Sequence, residues 1–140
     1  MNLLKEQLSV CDEGHIINEP ICSVEGLLSQ IAATDVVVAT RFHNVLLALL
    51  CDKPVISISF HHKCESLMSA MGLSEYCLDI NDLTADRLIE EFRALQSNSD
   101  MIKPLIRAKA REFREALDEQ YKFIFHDMLE LTPLNRTRTG

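Results

Sequence analysis

The sequence predicts an α/β domain: a small, mostly parallel, Rossmann-like sheet flanked by helices, with one long helix at the C-terminal end. Three observations carry this reading. Residues 36–39 form a wholly apolar run, as strands buried in parallel sheets do, and residues 55–59 read as a second strand. Helical segments with apolar residues three and four apart alternate with the strands. Residues 100–129 carry one continuous apolar stripe, longer than a compact domain of this size needs.

Taken in order, a first helix is expected over about residues 2–10, with Leu3, Leu4 and Leu8 on one side, and a weak strand over 15–17. Ser23 has the character of an N-cap for a helix through Ala33 that buries Leu27, Leu28 and Ile31, with Thr34 and Asp35 ending it. The strand over 36–39 follows, then a helix from Phe42 to Leu50 carrying Val45, Leu46, Leu49 and Leu50. Asp52, Lys53 and Pro54 make the turn into the strand over 55–59. His61 and His62 open a helix through Met71, closed by Gly72 as a C-cap. A short third strand is expected over 76–79 and an amphipathic helix over 84–95, with Leu88, Phe92 and Leu95 inward. Residues 96–99 read as a loop. In the last helix Ile106, Ala110, Phe113, Leu117, Tyr121, Ile124 and Met128 form the stripe, and Pro104 is tolerated if it falls in the first turn.

The chain has 140 residues, the size of one domain. Residues 1–130 are expected to form it, with 131–140 a disordered tail. Hydrophobic residues make up 47% of the chain, and with no Trp and few aromatics the core is expected to be aliphatic. The net charge of −7, with no basic stripe, argues against a nucleic-acid partner. No apolar run approaches the ~20 residues of a membrane span, and the N-terminus lacks a signal-peptide apolar region. The five cysteines are odd in number and contain no Cys-x-x-Cys pair. A disulfide framework or zinc site is thereby disfavoured, and a reducing, cytoplasmic compartment is expected. Cys51 and Cys77 sit in apolar runs and read as small buried hydrophobes.

The chemistry concentrates where the strand over 36–39 stops. Arg41 and His43 stand at the junction of that strand with the following helix, which in parallel α/β sheets opens into the ligand crevice at the carboxyl edge. A helix start offers unpaired N–H groups and a positive dipole end. Arginine adds a planar fork for carboxylate or phosphate, and histidine a proton-exchanging group. Lys63 lies one strand–helix repeat later, so its loop emerges on the same edge. The arrangement suits a small anion. A plainer reading competes at each position: Arg41 capping carbonyls or pairing with a surface acid, Lys63 as a surface lysine. His61 and His62 are poor metal ligands, because adjacent histidines on one loop rarely meet one ion and no acid or cysteine stands at ligand spacing. Neither a metal nor a cofactor is expected.

Residues 33–43 (ATDVVVATRFH) resemble the C-terminal half of the polysaccharide pyruvyl transferase family. The resemblance continues through Ala48 and Leu49, through residues 53–59 and Lys63, and through Gly72, Leu73 and residues 76–79, so that it covers roughly 23–95. Members are similar in fold to two-domain GT-B glycosyltransferases, and they transfer the pyruvyl group of phosphoenolpyruvate to two sugar hydroxyls as a cyclic ketal. The resemblance implies that Arg41, His43 and Lys63 belong to the phosphoenolpyruvate site. His43 would be the general acid or base, Arg41 the anchor of the donor and Lys63 the counter-charge for phosphate, with Phe42 and Asn44 beside the substrate. Phe42 departs from the family's usual leucine and Asn44 from a small residue. The family's N-terminal domain has no counterpart here, so the chain is expected to correspond to the C-terminal half, binding donor without turnover.

Two other functions fit the same pattern. One is the C-terminal half of a nucleotide-sugar glycosyltransferase, although residues 40–44 lack the glycine-rich turn such a domain uses at the diphosphate. The other is a non-catalytic anion-binding or interaction domain. The long apolar stripe further implies a covering surface for the helix over 100–129, either the absent domain or a second copy in a homo-oligomer.

Overall fold

A computed structural model describes residues 19–130; of Phe125 and residues 127–130 it describes the backbone alone. The expected helix over 2–10, strand over 15–17 and tail over 131–140 lie outside the described residues.

The architecture is α/β. Helix α1 (Val24–Ala32) leads to β1 (Val37–Ala39), α2 (Phe42–Leu50), β2 (Val55–Ser59) and α3 (His62–Ala70). A single 3₁₀ turn, Ser74–Tyr76, then leads into β3 (Cys77–Asp79), and α4 (Ala85–Ser97) and α5 (Ser99–Glu130) complete the order. The three strands are parallel in the order β1-β2-β3, with Ala39 opposite Ser57 and Ser59 opposite Asp79.

Local chemistry sets these bounds. Ser23 Oγ accepts from the Gly26 N–H at 3.0 Å and Thr84 Oγ1 from the Arg87 N–H at 3.2 Å, each replacing one of the partners a helix start lacks. Gly72, at φ +73°, takes the left-handed turn after α3 that a side chain disfavours. Lys53 Nζ donates to the Ala32 carbonyl at 2.8 Å, tying the end of α1 to the turn before β2.

Every residue of β2 is buried, so both of its faces are covered. Helices α2 and α3 pack on the sheet and on each other, and α4 packs on β2 and α5. The core joins Val55, Ile56 and Ile58 of β2 to Val45 and Leu49 of α2, Met68 of α3, Leu95 of α4, and Ile102 and Ile106 of α5.

Several expectations need correction. Strand β1 begins at Val37 and is an edge strand, so its apolar run is only partly covered: Val38 is 45% exposed. Leu27 and Leu28 are half-buried and Ile31 alone of the α1 trio is buried; among the described elements α1 packs most closely on α2. Tyr76 belongs to the 3₁₀ turn rather than to β3, and its ring is buried. Phe92 sits at the margin of α4's inner face and is exposed, while Leu95 is fully buried. Among the described cysteines the buried one is Cys64, whereas Cys51 and Cys77 are only half-covered near element ends.

The expected loop over 96–99 shrinks to Asn98. Its carbonyl accepts from the N–H groups of Met101 and Ile102, and its side-chain amide donates to Tyr76 Oη at 3.3 Å. The earlier helix start puts Pro104 past the first turn, where it removes an N–H that would have bonded to Asp100; that residue is exposed, so water can reach the carbonyl.

Among the described residues the buried anchors of α5 are Ile102 and Ile106. Truncating Ile106 to Ala is expected to cost about 2–5 kcal/mol in urea unfolding. Met101→Ala, at a residue that is 72% exposed, is expected to stay within about 0.5 kcal/mol.

Candidate functional site

Because the strands are parallel and in register, the loops that follow them leave the sheet at one edge. After β1 come Thr40 and Arg41, then Phe42 and His43 in the first turn of α2. After β2 come Phe60 and His61, then His62 and Lys63 in the first turn of α3. After β3 come Ile80, Asn81 and Asp82. The sequence-predicted residues Arg41, Phe42, His43, Asn44 and Lys63 thus share the carboxyl edge, on adjacent strand–helix units. Arg41, His43 and Lys63 are exposed there, and no hydrogen bond or ion pair joins any of the three to another described side chain.

Two helix starts at this edge lack the side-chain cap that α1 and α4 have. The N-cap of α2 is Arg41 and that of α3 is His61; both are extended, and neither makes a side-chain capping bond. A missing cap costs about 1 kcal/mol. It leaves the leading N–H groups of both helices, each at a positive dipole end, open toward the same edge. The Asn44 and Val45 N–H groups are already taken by the Arg41 carbonyl, at 3.0 and 3.1 Å. Phe42 lies edge-on to the His43 ring, with centroids 5.6 Å apart, which limits the ring's swing.

Sequence reasoning missed the aromatic pair between Lys63 and β2. Phe60 is 64% exposed and its ring lies 4.1 Å from that of His61, centroid to centroid. The His61 N–H donates to Ser59 Oγ at 2.9 Å, which fixes the turn. An apolar residue directly after a wholly buried strand was the available signal. His62 pairs with Glu65 at 2.9 Å on the exposed surface of α3. Asp79 Oδ1 accepts from the Asn81 backbone N–H at 2.8 Å and from its amide at 2.9 Å, so this carboxylate is committed to its own turn. Among the described residues no three His, Cys, Asp or Glu side chains gather at metal-binding spacing.

Residues 2–62 match the polysaccharide pyruvyl transferase family. The match supports the resemblance read from residues 33–43. It starts well before Ser23 and stops before residue 95. Arg41, Phe42, His43 and Asn44 fall inside the span that matches the pyruvyl transferases, and Lys63 lies one residue beyond it. No solved structure matches the chain. Among the described residues no helix is long and apolar enough to cross a membrane.

Below the edge, burial pushes the Cys77 thiol above its ordinary value. The Ser57 hydroxyl across the β2–β3 ladder pulls the other way, although its geometry falls short of a proper hydrogen bond. A raised thiol pKa favours the protonated form in the fold. The stability this contributes is complete below the unfolded-state value and is lost as pH rises through the folded one. Alkylation near about pH 8 is expected to modify exposed Cys22 first, Cys77 slowly, and buried Cys64 only after denaturant is added. Peptide mass spectrometry over a time course reads that order.

Proposed function

We propose that the carboxyl edge of β1 and β2 is the donor half-site of a pyruvyl transferase acting in polysaccharide biosynthesis, and that the chain corresponds to the C-terminal, GT-B-like half of such an enzyme. The observation that carries this is the family match over β1, its loop and the first turn of α2, which includes Arg41 and His43. Phosphoenolpyruvate presents a carboxylate and a phosphate. Two uncapped helix starts and two exposed cations on adjacent loops suit both groups.

In this reading Arg41 forks onto one anionic group of the donor and Lys63 neutralises the phosphate as a point charge. His43 exchanges the proton. The methylene carbon of phosphoenolpyruvate takes up a proton, and positive charge develops at the adjacent carbon. A sugar hydroxyl attacks that carbon and gives up its proton. The carbon–oxygen bond to phosphate then breaks with its electron pair leaving on phosphate, and a second hydroxyl closes the ketal. Phe42 and Asn44 shape the wall beside His43. The acceptor is a sugar or glycan.

Titration with phosphoenolpyruvate, followed by calorimetry and by NMR, tests the assignment. Millimolar binding with shifts at Arg41 and His43 is expected. Unchanged signals there at saturating ligand sink the donor-site reading, and preferential binding of a nucleotide sugar replaces it with a glycosyltransferase. Arg41→Lys keeps the charge and loses the fork, so donor binding is expected to weaken by about 1–3 kcal/mol with the melting temperature unchanged. A collapsed melting temperature identifies Arg41 as structural instead.

A further inference from the structure

Phe60 is the first residue past β2, the central strand of the sheet, and it is 64% exposed. The loop carrying Arg41 leaves the sheet on one side of it. On the other side is Ile80, 46% exposed, the first residue past β3. Ser59 and Asp79 are register partners, so Phe60 and Ile80 each stand one residue beyond the same rung. Lys63 follows in the first turn of α3. Neighbouring strands lie ~4.8 Å apart, which puts Phe60 midway along the edge that holds the two cations.

A single exposed apolar residue is ordinary on a protein surface. Phe60 differs in being held. Its ring centroid lies 4.1 Å from that of His61, with the ring planes 38° apart. The His61 N–H donates to Ser59 Oγ at 2.9 Å, and Ser59 is buried. The turn that carries both rings is thereby tied to the core. The His61 ring covers one face of Phe60, so the exposed area is that of the opposite face and the ring edge.

The face of a phenyl ring carries negative charge density and its edge positive. Such a face attracts the weakly positive C–H bonds on the flat side of a sugar ring. It repels the oxygens of a carboxylate or phosphate, which Arg41 and Lys63 bind far better. Two ligands of different chemistry therefore sort themselves along one edge. The acceptor has to bring its hydroxyls to the pyruvyl carbon, so its place is beside the donor. Phe60 occupies that place.

We infer that Phe60, backed by His61, is the stacking platform for a pyranose ring of the acceptor, with Ile80 continuing the apolar floor toward β3. The inference rests on the donor-site reading, because the donor is what makes a neighbouring sugar productive. Phe60 is a positioning residue and exchanges no proton. It holds the ring by one flat side, so the hydroxyls project from the rim, where two of them can meet the pyruvyl carbon.

Saturation-transfer NMR of the full chain with the methyl glycosides of glucose, galactose and mannose tests this, with uridine as a second stacking probe. In the parent, saturation is expected to reach the ring C–H protons of a glycoside. In Phe60→Ala that transfer is expected to fall about ten-fold. The melting temperature stays unchanged, because the ring is largely exposed, and phosphoenolpyruvate still shifts Arg41 and His43. Phe60→Tyr keeps the aromatic face and is expected to hold the transfer to within about two-fold of the parent. Transfer that survives Phe60→Ala, transfer to none of the glycosides, or transfer to uridine alone overturns the platform, while the donor-site reading stands on its own titration. Phosphoenolpyruvate that shifts nothing in the parent overturns the donor-site reading. A glycoside signal that depends on Phe60 then still supports the platform, as part of a different sugar-transferring chemistry.

Discussion

The burial of β2 on both faces is the constraint on which the rest of this structure depends. Val55 to Ser59 are all withdrawn from water, so helices must cover each face and both neighbouring strands must pair. Among the described residues no other strand has that environment. Parallel pairing then follows from the helices that cross between strands, and it delivers every strand's exit to one edge. The site is thus a by-product of how the central strand is enclosed: Arg41 and Lys63 share an edge because Ala39 is level with Ser57 and the chain leaves both strands in one direction.

That edge is also where the fold gives up local stability. At Ser23 and Thr84 the chain uses residues that complete a helix start. At Arg41 and His61 it uses residues that do not. In a sequence otherwise attentive to its helix ends, two incomplete starts side by side at the exposed edge are the local inconsistency expected of a binding surface. An anion held there by backbone N–H groups needs few side chains, so the edge reads as two cations and a histidine rather than as a dense cluster.

Much of this was legible in the sequence, for identifiable reasons. The periodicities of α2 and α4, the cap at Ser23 and the glycine after α3 are local signals, and the structure obeys them. The positions of Arg41, His43 and Lys63 at one edge follow from counting strand–helix units. What was not legible depends on partners distant in sequence. The apolar run of β1 does not reveal that it lies at the edge of the sheet with Val38 open. Nor does it show that Tyr76 is drawn into a 3₁₀ turn, where its hydroxyl meets Asn98. Phe60 was passed over because its signal is its place directly after a buried strand, not a periodicity.

The joint at Asn98 has a mechanical meaning. One residue separates α4 from a helix of 32 residues, and its amide is pinned to the tyrosine that precedes β3. Such a helix is a boom about 48 Å long, and tilting it by about 5° carries its tip about 4 Å. The aim of the boom is therefore set near its root, by the Asn98 joint together with the burial of Ile102 and Ile106 and the Arg107–Asp52 pair. A change at Asn98 leaves the core's composition intact and alters where the far end of the molecule points.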